Sequence, residues 1–357
     1  MFFSGAICSL VNFTKMRVSK VNDSLNFLSR LTLNKCVNAG KVYFSYYLSR
    51  WIGKPIMWGM PVALAVEPTT ACNLGCPECP SGLKSFTRPT GRIEVGQFQQ
   101  YIHPLSKHLT YLSFYFQGEP YLHKGLLDMV TYASQLGIYT AISTNAHFLN
   151  DENARKTIES GLDRLIIAID GMTQSSYEKY RINGLLDKVL EGTKRVLYWR
   201  EKLNSKKPFI VFQFLVVRHN EGEIDAVRDL ARTIGVDDLW LKTAQVNNYQ
   251  EDPNHLIPLQ SKYSRYQKDA KNNTVPKNKM VNHCWKMWHS NVVTWDGKIV
   301  PCCFDKDAKY QLGNLGNDSL ANIWQGKNYH EFRKELMQSR KNIDICSNCS
   351  EGTKVWT

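Results

Sequence analysis

The chain has no low-complexity tract and no uninterrupted apolar run of the roughly 18 residues that a spanning helix needs. It also has no basic residue ahead of its apolar start: Met1 to Phe13 is followed by the first cation at Lys15. These absences exclude long disorder, a membrane-spanning helix and a secretory signal, so a cytoplasmic protein is expected. Acid is scarce at one end only. Residues 1–61 hold Lys15, Arg17, Lys20, Arg30, Lys35, Lys41, Arg50 and Lys54 against Asp23 alone, within a chain of net charge +13. A basic segment interleaved with Phe, Tyr and Trp suits an anionic membrane surface, nucleic acid or an acidic protein. It suits equally a solvated helical extension packed on the main domain. On the lipid reading the protein is peripheral to the inner membrane face.

What is present is apolar content of 43% over 357 residues, enough for a buried core and about two domains. Ten cysteines stand at 8, 36, 72, 76, 79, 284, 302, 303, 346 and 349. Clustered cysteines in a long chain without a signal point to metal rather than to a disulfide framework. Cys8 and Cys36 have no evident partners.

From residue 62 strand and helix patterns alternate. β-rich runs fall at 62–66, 112–116, 138–142, 165–169, 211–217 and 239–241, and the clearest helical period runs from Leu186 to Leu203. Six strand–helix repeats imply a parallel sheet with right-handed crossovers, an α/β domain that is open or curled into a partial barrel. Ligands of such sheets sit at the carboxyl ends of the strands. The expected division is an N-terminal extension (1–61), a core domain (62–245), a polar linker with one short helix (246–283) and a small cysteine-rich domain (284–357). The last should contain a hairpin, Val292–Thr294 and Lys298–Val300 around Asp296–Gly297. A domain of that size needs a staple, which metal would supply.

Cys72-Asn-Leu-Gly-Cys76-Pro-Glu-Cys79 follows the first expected strand directly. A structural zinc site wants a fourth ligand and none is nearby, although a distant His could complete one. Three thiolates on a cubane cluster leave one iron open, a site for substrate.

The C-x3-C-x2-C spacing at this place resembles the signature of the radical S-adenosylmethionine (SAM) superfamily, and the resemblance runs through residues 62–245. It implies a partial (β/α)6 barrel and a [4Fe–4S] cluster on Cys72, Cys76 and Cys79 that binds SAM. Gln117, Gly118 and Glu119, in Gln-Gly-Glu-Pro after the second strand, resemble the motif that takes the amino group of the cofactor's methionine. Ser143 and Asn145 fall where relatives contact the ribose. Arg181, after Asp170-Gly171, falls where they hold the methionine carboxylate, a task suited to a planar guanidinium. Two positions depart from the pattern: Glu78 replaces an aromatic residue expected at the adenine, and Ala168 replaces a serine.

Cys284, Cys302, Cys346 and Cys349 could fully ligate a second cluster, or a zinc ion. Together with Leu312-Gly313-Asn314 and the helix expected from Ser319 to Trp324, they resemble the SPASM/twitch domain. That resemblance implies one auxiliary [4Fe–4S] cluster, since Thr357 lies only eight residues beyond Cys349. Sulfatase-maturing relatives carry a catalytic Asp where this chain has Cys303, which argues against that activity. Cys303 and Asp305 remain candidate catalytic groups, with an inert thiol the alternative for the former.

The resemblance implies an oxidoreductase-type enzyme that reductively cleaves SAM to a 5′-deoxyadenosyl radical and abstracts hydrogen from a substrate. An electron donor such as flavodoxin or ferredoxin is its implied partner. A small molecule, sugar or lipid is favoured as substrate, because residues 1–61 are too short for the leader-binding module of peptide-modifying relatives. A peptide or protein maturase is the alternative. A zinc-stapled nucleic-acid adaptor is the rival outside enzymes; the strand–helix repeats and the open three-cysteine site disfavour it, and no nucleic-acid partner is expected.

Overall fold

A computed structural model describes residues 18–355. The apolar Met1–Phe13 stretch, Cys8, Lys15 and Arg17 lie outside the described residues. Residues 18–29 are helical, and helix α1 follows at Leu33–Ile52. Six parallel strands then alternate with helices: β1 (Ala63–Val66), β2 (Tyr111–Ser113), β3 (Tyr139–Thr144), β4 (Arg164–Ala168), β5 (Phe209–Val216) and β6 (Asp238–Thr243). The longest intervening helix, Leu186–Lys202, lies where the 3.6-residue period of apolar side chains placed it.

The sheet does not end at β1. Strand β9 (Ser290–Val293) pairs parallel with it, and β10 (Lys298–Val300) and β11 (Gly313–Asn314) continue antiparallel. The expected hairpin therefore forms, and it extends the barrel sheet beside β1, whose backbone would otherwise be an open edge. The 246–283 segment contains a 3-10 turn at Ser261–Tyr263 and an unforeseen hairpin, β7 (Tyr266–Lys268) with β8 (Thr274–Pro276). Its Tyr266 hydroxyl accepts from Val246 N (2.9 Å) and donates to Asn348 Oδ1 (3.0 Å), which fastens the segment to the C-terminal region.

Alternation along the strands sorts side chains onto two faces. Leu64, Leu112, Ile142, Leu165, Ile167, Ile210, Phe212 and Phe214 join the helices in the main core. Ile166, Phe209 and Val211, with Trp240, form a separate cluster on the inner face. Both faces are thus buried, as parallel sheets require.

The 18–29 helix closes the amino end of the barrel. Asp23 accepts from the Tyr139 hydroxyl and the Arg164 guanidinium, and Asp163 accepts from Asn26 Nδ2 (3.0 Å) and Arg30 Nη2 (2.8 Å). Helix α1 packs across the 283–289 segment: Tyr46 Oη lies 2.9 Å from His283 Nδ1, and its ring meets Trp285 and Trp288 edge-on. The helical extension is therefore packed on the main body through one face. Among the described residues no helix is long and apolar enough to cross a membrane.

Glu67 directly follows β1, fully buried, and receives a bidentate Arg88 fork (2.8 and 2.5 Å) while Arg88 Nε reaches the Lys306 carbonyl (3.3 Å). This pair ties β1, the segment after the cysteine loop and the C-terminal region together. Arg88→Leu leaves a buried carboxylate uncompensated and should cost about 3–5 kcal/mol, measured by denaturant unfolding. Adding Glu67→Gln to that variant should recover much of the loss.

Candidate active site and auxiliary metal centre

Cys72, Cys76 and Cys79 sit on the loop that leaves β1, with Cys76 buried and the other two half-buried. Four contacts from other loops fix that loop. Gly75 N donates to Ile182 O (2.9 Å), and Glu119 N donates to Ala71 O (2.7 Å). Gly118 N donates to Ser81 Oγ (2.9 Å), and Asn145 Nδ2 donates to Asn73 Oδ1 (2.8 Å). Glycine is required at 118: φ is +77° and a Cβ would meet the Thr69 carbonyl oxygen at 2.2 Å. The Gln-Gly-Glu run thus lies against the chain entering the cysteine loop.

Glu119 is buried, and its carboxylate accepts from the Thr144 hydroxyl (2.6 Å), Asn145 N (2.8 Å) and Tyr121 N (3.1 Å). It therefore braces the loops after β2 and β3 against each other. Burial pushes its carboxyl pKa up, and these donors oppose the shift. Gln117 Oε1 accepts from Cys79 Sγ (3.6 Å). Ser143 is half-buried near the end of β3. Arg181 caps the helix Gln174–Tyr180; its Nε donates to Asp170 Oδ2 (2.5 Å) and its Nη1 to Cys76 Sγ (3.6 Å). Asp170 also accepts from Leu215 N (2.6 Å). All six residues expected around the cofactor therefore lie on the loops and strand ends that border the cysteine loop. Thr144 and Asn73, which support them, were not singled out in the sequence, and Asp170 was noted there only within Asp170-Gly171. Glu78 does a different job from an aromatic: its carboxylate accepts from Asn247 N (2.9 Å) and its carbonyl from Lys306 Nζ (2.9 Å).

The second group converges from 284, 302, 346 and 349. All four thiols line one small cavity, together with Arg340, Phe304 and Phe332. Cys349 N donates to Cys346 O (3.0 Å), so the C-x2-C pair forms a turn. Arg340, almost wholly buried, donates to Cys349 Sγ (3.3 Å) and to the Glu351 and His283 carbonyls (2.7 and 3.1 Å). A Cβ on Gly352 would stand 2.2 Å from Cys284 Sγ, so only glycine leaves room for that thiol. Among the described residues no three His, Cys, Asp or Glu side chains converge tightly enough to grip a single ion. Four thiols around one cavity can ligate an iron–sulfur cluster fully. A buried guanidinium facing the cavity suits the negative charge of a thiolate-bound cluster. Arg340 and Gly352 were missed in the sequence because neither belongs to a cysteine spacing.

Cys303 lies outside that cavity and is exposed, with Lys286 Nζ 3.9 Å from its sulfur and 2.5 Å from Glu351. Asp305 is buried, and its two carboxylate oxygens accept the N–H groups of Lys309 and Tyr310 (2.8 Å each), which fixes a turn. Cys36 is exposed on α1.

Burial pushes up the thiols of Cys76, Cys284, Cys302 and Cys349, and takes Cys72 to about 11 and Cys346 to about 12 from an ordinary 9.0. The iron-free protein therefore holds them protonated at neutral pH, and ligation must expel the protons. The sign for stability follows. Above pH 9 the unfolded chain releases thiol protons that the folded chain keeps, so iron-free stability falls as pH rises from 9 towards 12. Urea unfolding of reduced, iron-free protein across that window should show the midpoint dropping.

A parallel partial barrel with three thiols on the loop after its first strand, and four more around a cavity at its flank, defines an α/β iron–sulfur enzyme. A family model described as the Radical SAM superfamily matches residues 66–230, and one described as an iron–sulfur cluster-binding domain, SPASM, matches residues 284–350. The chain belongs to the radical SAM superfamily, in the group with a C-terminal SPASM domain. It is an oxidoreductase-type enzyme that uses SAM, a [4Fe–4S] cluster and auxiliary iron–sulfur chemistry, and it needs a reductant and a substrate.

Among curated relatives, the tungsten-containing aldehyde ferredoxin oxidoreductase cofactor-modifying protein of Pyrococcus furiosus is 24% identical over 312 residues, covering 80% of this chain and 86% of that protein. The S-adenosyl-L-methionine-dependent 2-deoxy-scyllo-inosamine dehydrogenase of Niallia circulans is 25% identical over 294 residues, covering 80% and 92%. Among solved structures, BtrN in complex with AdoMet and 2-DOIA superposes with a TM-score of 0.51 at 20% identity, covering 84% of this chain and 97% of that one. Streptococcus suis SuiB bound to S-adenosylmethionine gives 0.59 at 13% identity, covering 78% and 68%. These two likenesses show the shared fold.

Proposed function

We propose that Cys72, Cys76 and Cys79 hold the SAM-binding cluster, that Cys284, Cys302, Cys346 and Cys349 hold one auxiliary cluster, and that the substrate is a small hydroxylated molecule. The observation that carries the reading is the fastening of the three-cysteine loop to the loops bearing Gly118, Glu119, Asn145 and Ile182. When bound, the reduced cluster supplies the electron that breaks the sulfonium C–S bond of SAM, giving methionine and the 5′-deoxyadenosyl radical.

This chain's own residues position and shield. Arg181, held by Asp170 beside Cys76, presents a cation to the methionine carboxylate. Gly118 allows close backbone approach, and Gln117, Ser143 and Asn145 supply polar contacts at the strand ends. Glu119 keeps two of those loops in register. Arg340 balances charge at the auxiliary cavity. Cys303, exposed outside that cavity, and Lys286, which lines the cavity and reaches to 3.9 Å from the Cys303 sulfur, are the groups placed to meet substrate; Asp305 is committed to its turn. The small-molecule assignment is supported by the two curated relatives, one a dehydrogenase of 2-deoxy-scyllo-inosamine and the other a cofactor-modifying protein. The electron donor is a flavodoxin or ferredoxin.

The test is deuterium transfer. Reduced enzyme, SAM and carbon-deuterated cyclitols or aminocyclitols should yield deuterated 5′-deoxyadenosine and an oxidised product about three mass units lighter than the labelled substrate, one deuterium having gone to 5′-deoxyadenosine and one hydroxyl proton to solvent. Transfer only from a peptide would overturn the substrate assignment while leaving the cluster assignment standing.

A further inference from the structure

Helix α1 is turned inside out. Its buried face is made of Lys35, Asn38, Val42, Ser45, Tyr46 and Ser49. Lys35 donates to the Gly137 carbonyl (2.6 Å), Asn38 bonds both the N–H and the carbonyl of Met60, and Ser49 bonds Ile56. The opposite face carries Leu33, Val37, Phe44 and Trp51 at helical spacing, and these are 80%, 50%, 64% and 85% exposed. A helix packed only on its own protein would present the reverse pattern. The preceding helix repeats it: Asp23, Asn26 and Arg30 face the barrel, while Val18, Val21, Leu25 and Leu28 are each more than half exposed. Single exposed apolar residues need no explanation, but two successive helices with apolar outer faces mark an interaction surface.

The charges beside this surface identify the occupant. Lys41 and Arg50 flank the apolar stripe of α1 on its two sides and Lys54 follows it, all exposed. No acidic residue occurs between Asp23 and Glu67, and none at all before Asp23. Two copies meeting through this face would oppose cations with nothing to pair them. An acidic protein would match the cations but not a centre of Leu, Phe and Trp. An anionic bilayer matches both, with aliphatic side chains below the headgroups, Trp51 and Phe44 at that level and Lys or Arg on phosphates. Residues 1–14, which precede this surface in the sequence, contain no charged residue.

We propose that the 18–52 helices lie in the plane of an anionic membrane and dock the enzyme on it. The test is co-sedimentation of the full chain with vesicles of phosphatidylcholine alone or mixed with phosphatidylglycerol. The wild type should sediment with the mixed vesicles, less so with the neutral ones, and release as salt rises. Phe44→Glu with Trp51→Glu should weaken binding on the order of tenfold or more, and Lys41→Glu with Lys54→Glu should weaken it only on anionic vesicles. All four positions are exposed, so iron content and thermal unfolding should match the wild type. Wild-type protein left in the supernatant with both vesicle types would overturn the proposal. So would equal sedimentation of the Phe44/Trp51 variant, or a wild-type dimer that this variant splits into monomers without any vesicle binding.

Discussion

Replacing Cys72, Cys76 and Cys79 together by alanine should lower the iron of anaerobically reconstituted protein from about eight to about four per chain and abolish 5′-deoxyadenosine formation. The loss should be complete, because the open iron that would bind SAM is the one these three thiols leave free. The remaining iron should be unaffected, since Cys284, Cys302, Cys346 and Cys349 line a cavity of their own with Arg340 and none of the first three thiols. Cys284→Ala with Cys346→Ala should give the mirror image: half the iron lost, from the auxiliary centre. Because Cys284 and Cys346 are also buried in the main core, that variant should unfold at lower denaturant as well. One equivalent of zinc in native protein with only four irons would contradict the auxiliary assignment.

Arg181→Ala should have the second-largest effect. Asp170 is almost fully buried and keeps only Leu215 N once the guanidinium is gone. Breaking such a pair costs about 3–5 kcal/mol of folding stability. SAM affinity should fall by about 1.5–3 kcal/mol, the range for hydrogen bonds to charged groups. Arg181→Lys separates the two roles. It keeps a cation near Asp170 but loses the planar fork, so much of the stability should return while SAM binding stays weak. Denaturant unfolding reads the first quantity and equilibrium dialysis with labelled SAM the second. Unchanged SAM affinity in both variants would show that the carboxylate is held elsewhere.

The barrel was legible because its signals are local. Alternating β-branched runs and the Leu186–Lys202 period lie within single elements, and the observed strands fall on or within a few residues of the expected ones. The cysteine groupings were legible from spacing alone, and the cavity joining 284, 302, 346 and 349 is where that spacing led. Long-range pairing was not legible. Nothing in Ser290–Val293 indicates that it will lie parallel to β1, some 230 residues earlier in the chain. The β7–β8 hairpin was hidden because its strands are three residues each and only Tyr266 and Thr274 are buried, too few for an alternating pattern to show. Glu119 shows a subtler gap. The resemblance of Gln-Gly-Glu-Pro marked it for the methionine ammonium, but nothing in the sequence showed the three donors that its carboxylate also serves, from residues 121, 144 and 145. A buried positioning group such as Arg340 acts through tertiary neighbours, so no window of sequence reveals it.

The central claim is that this chain cleaves SAM reductively at the Cys72–Cys79 loop. Anaerobically reconstituted protein, reduced with dithionite and incubated with SAM, should form 5′-deoxyadenosine and methionine in equal amounts, read by liquid chromatography and mass spectrometry. Iron-loaded, folded protein that leaves SAM intact under those conditions would contradict it.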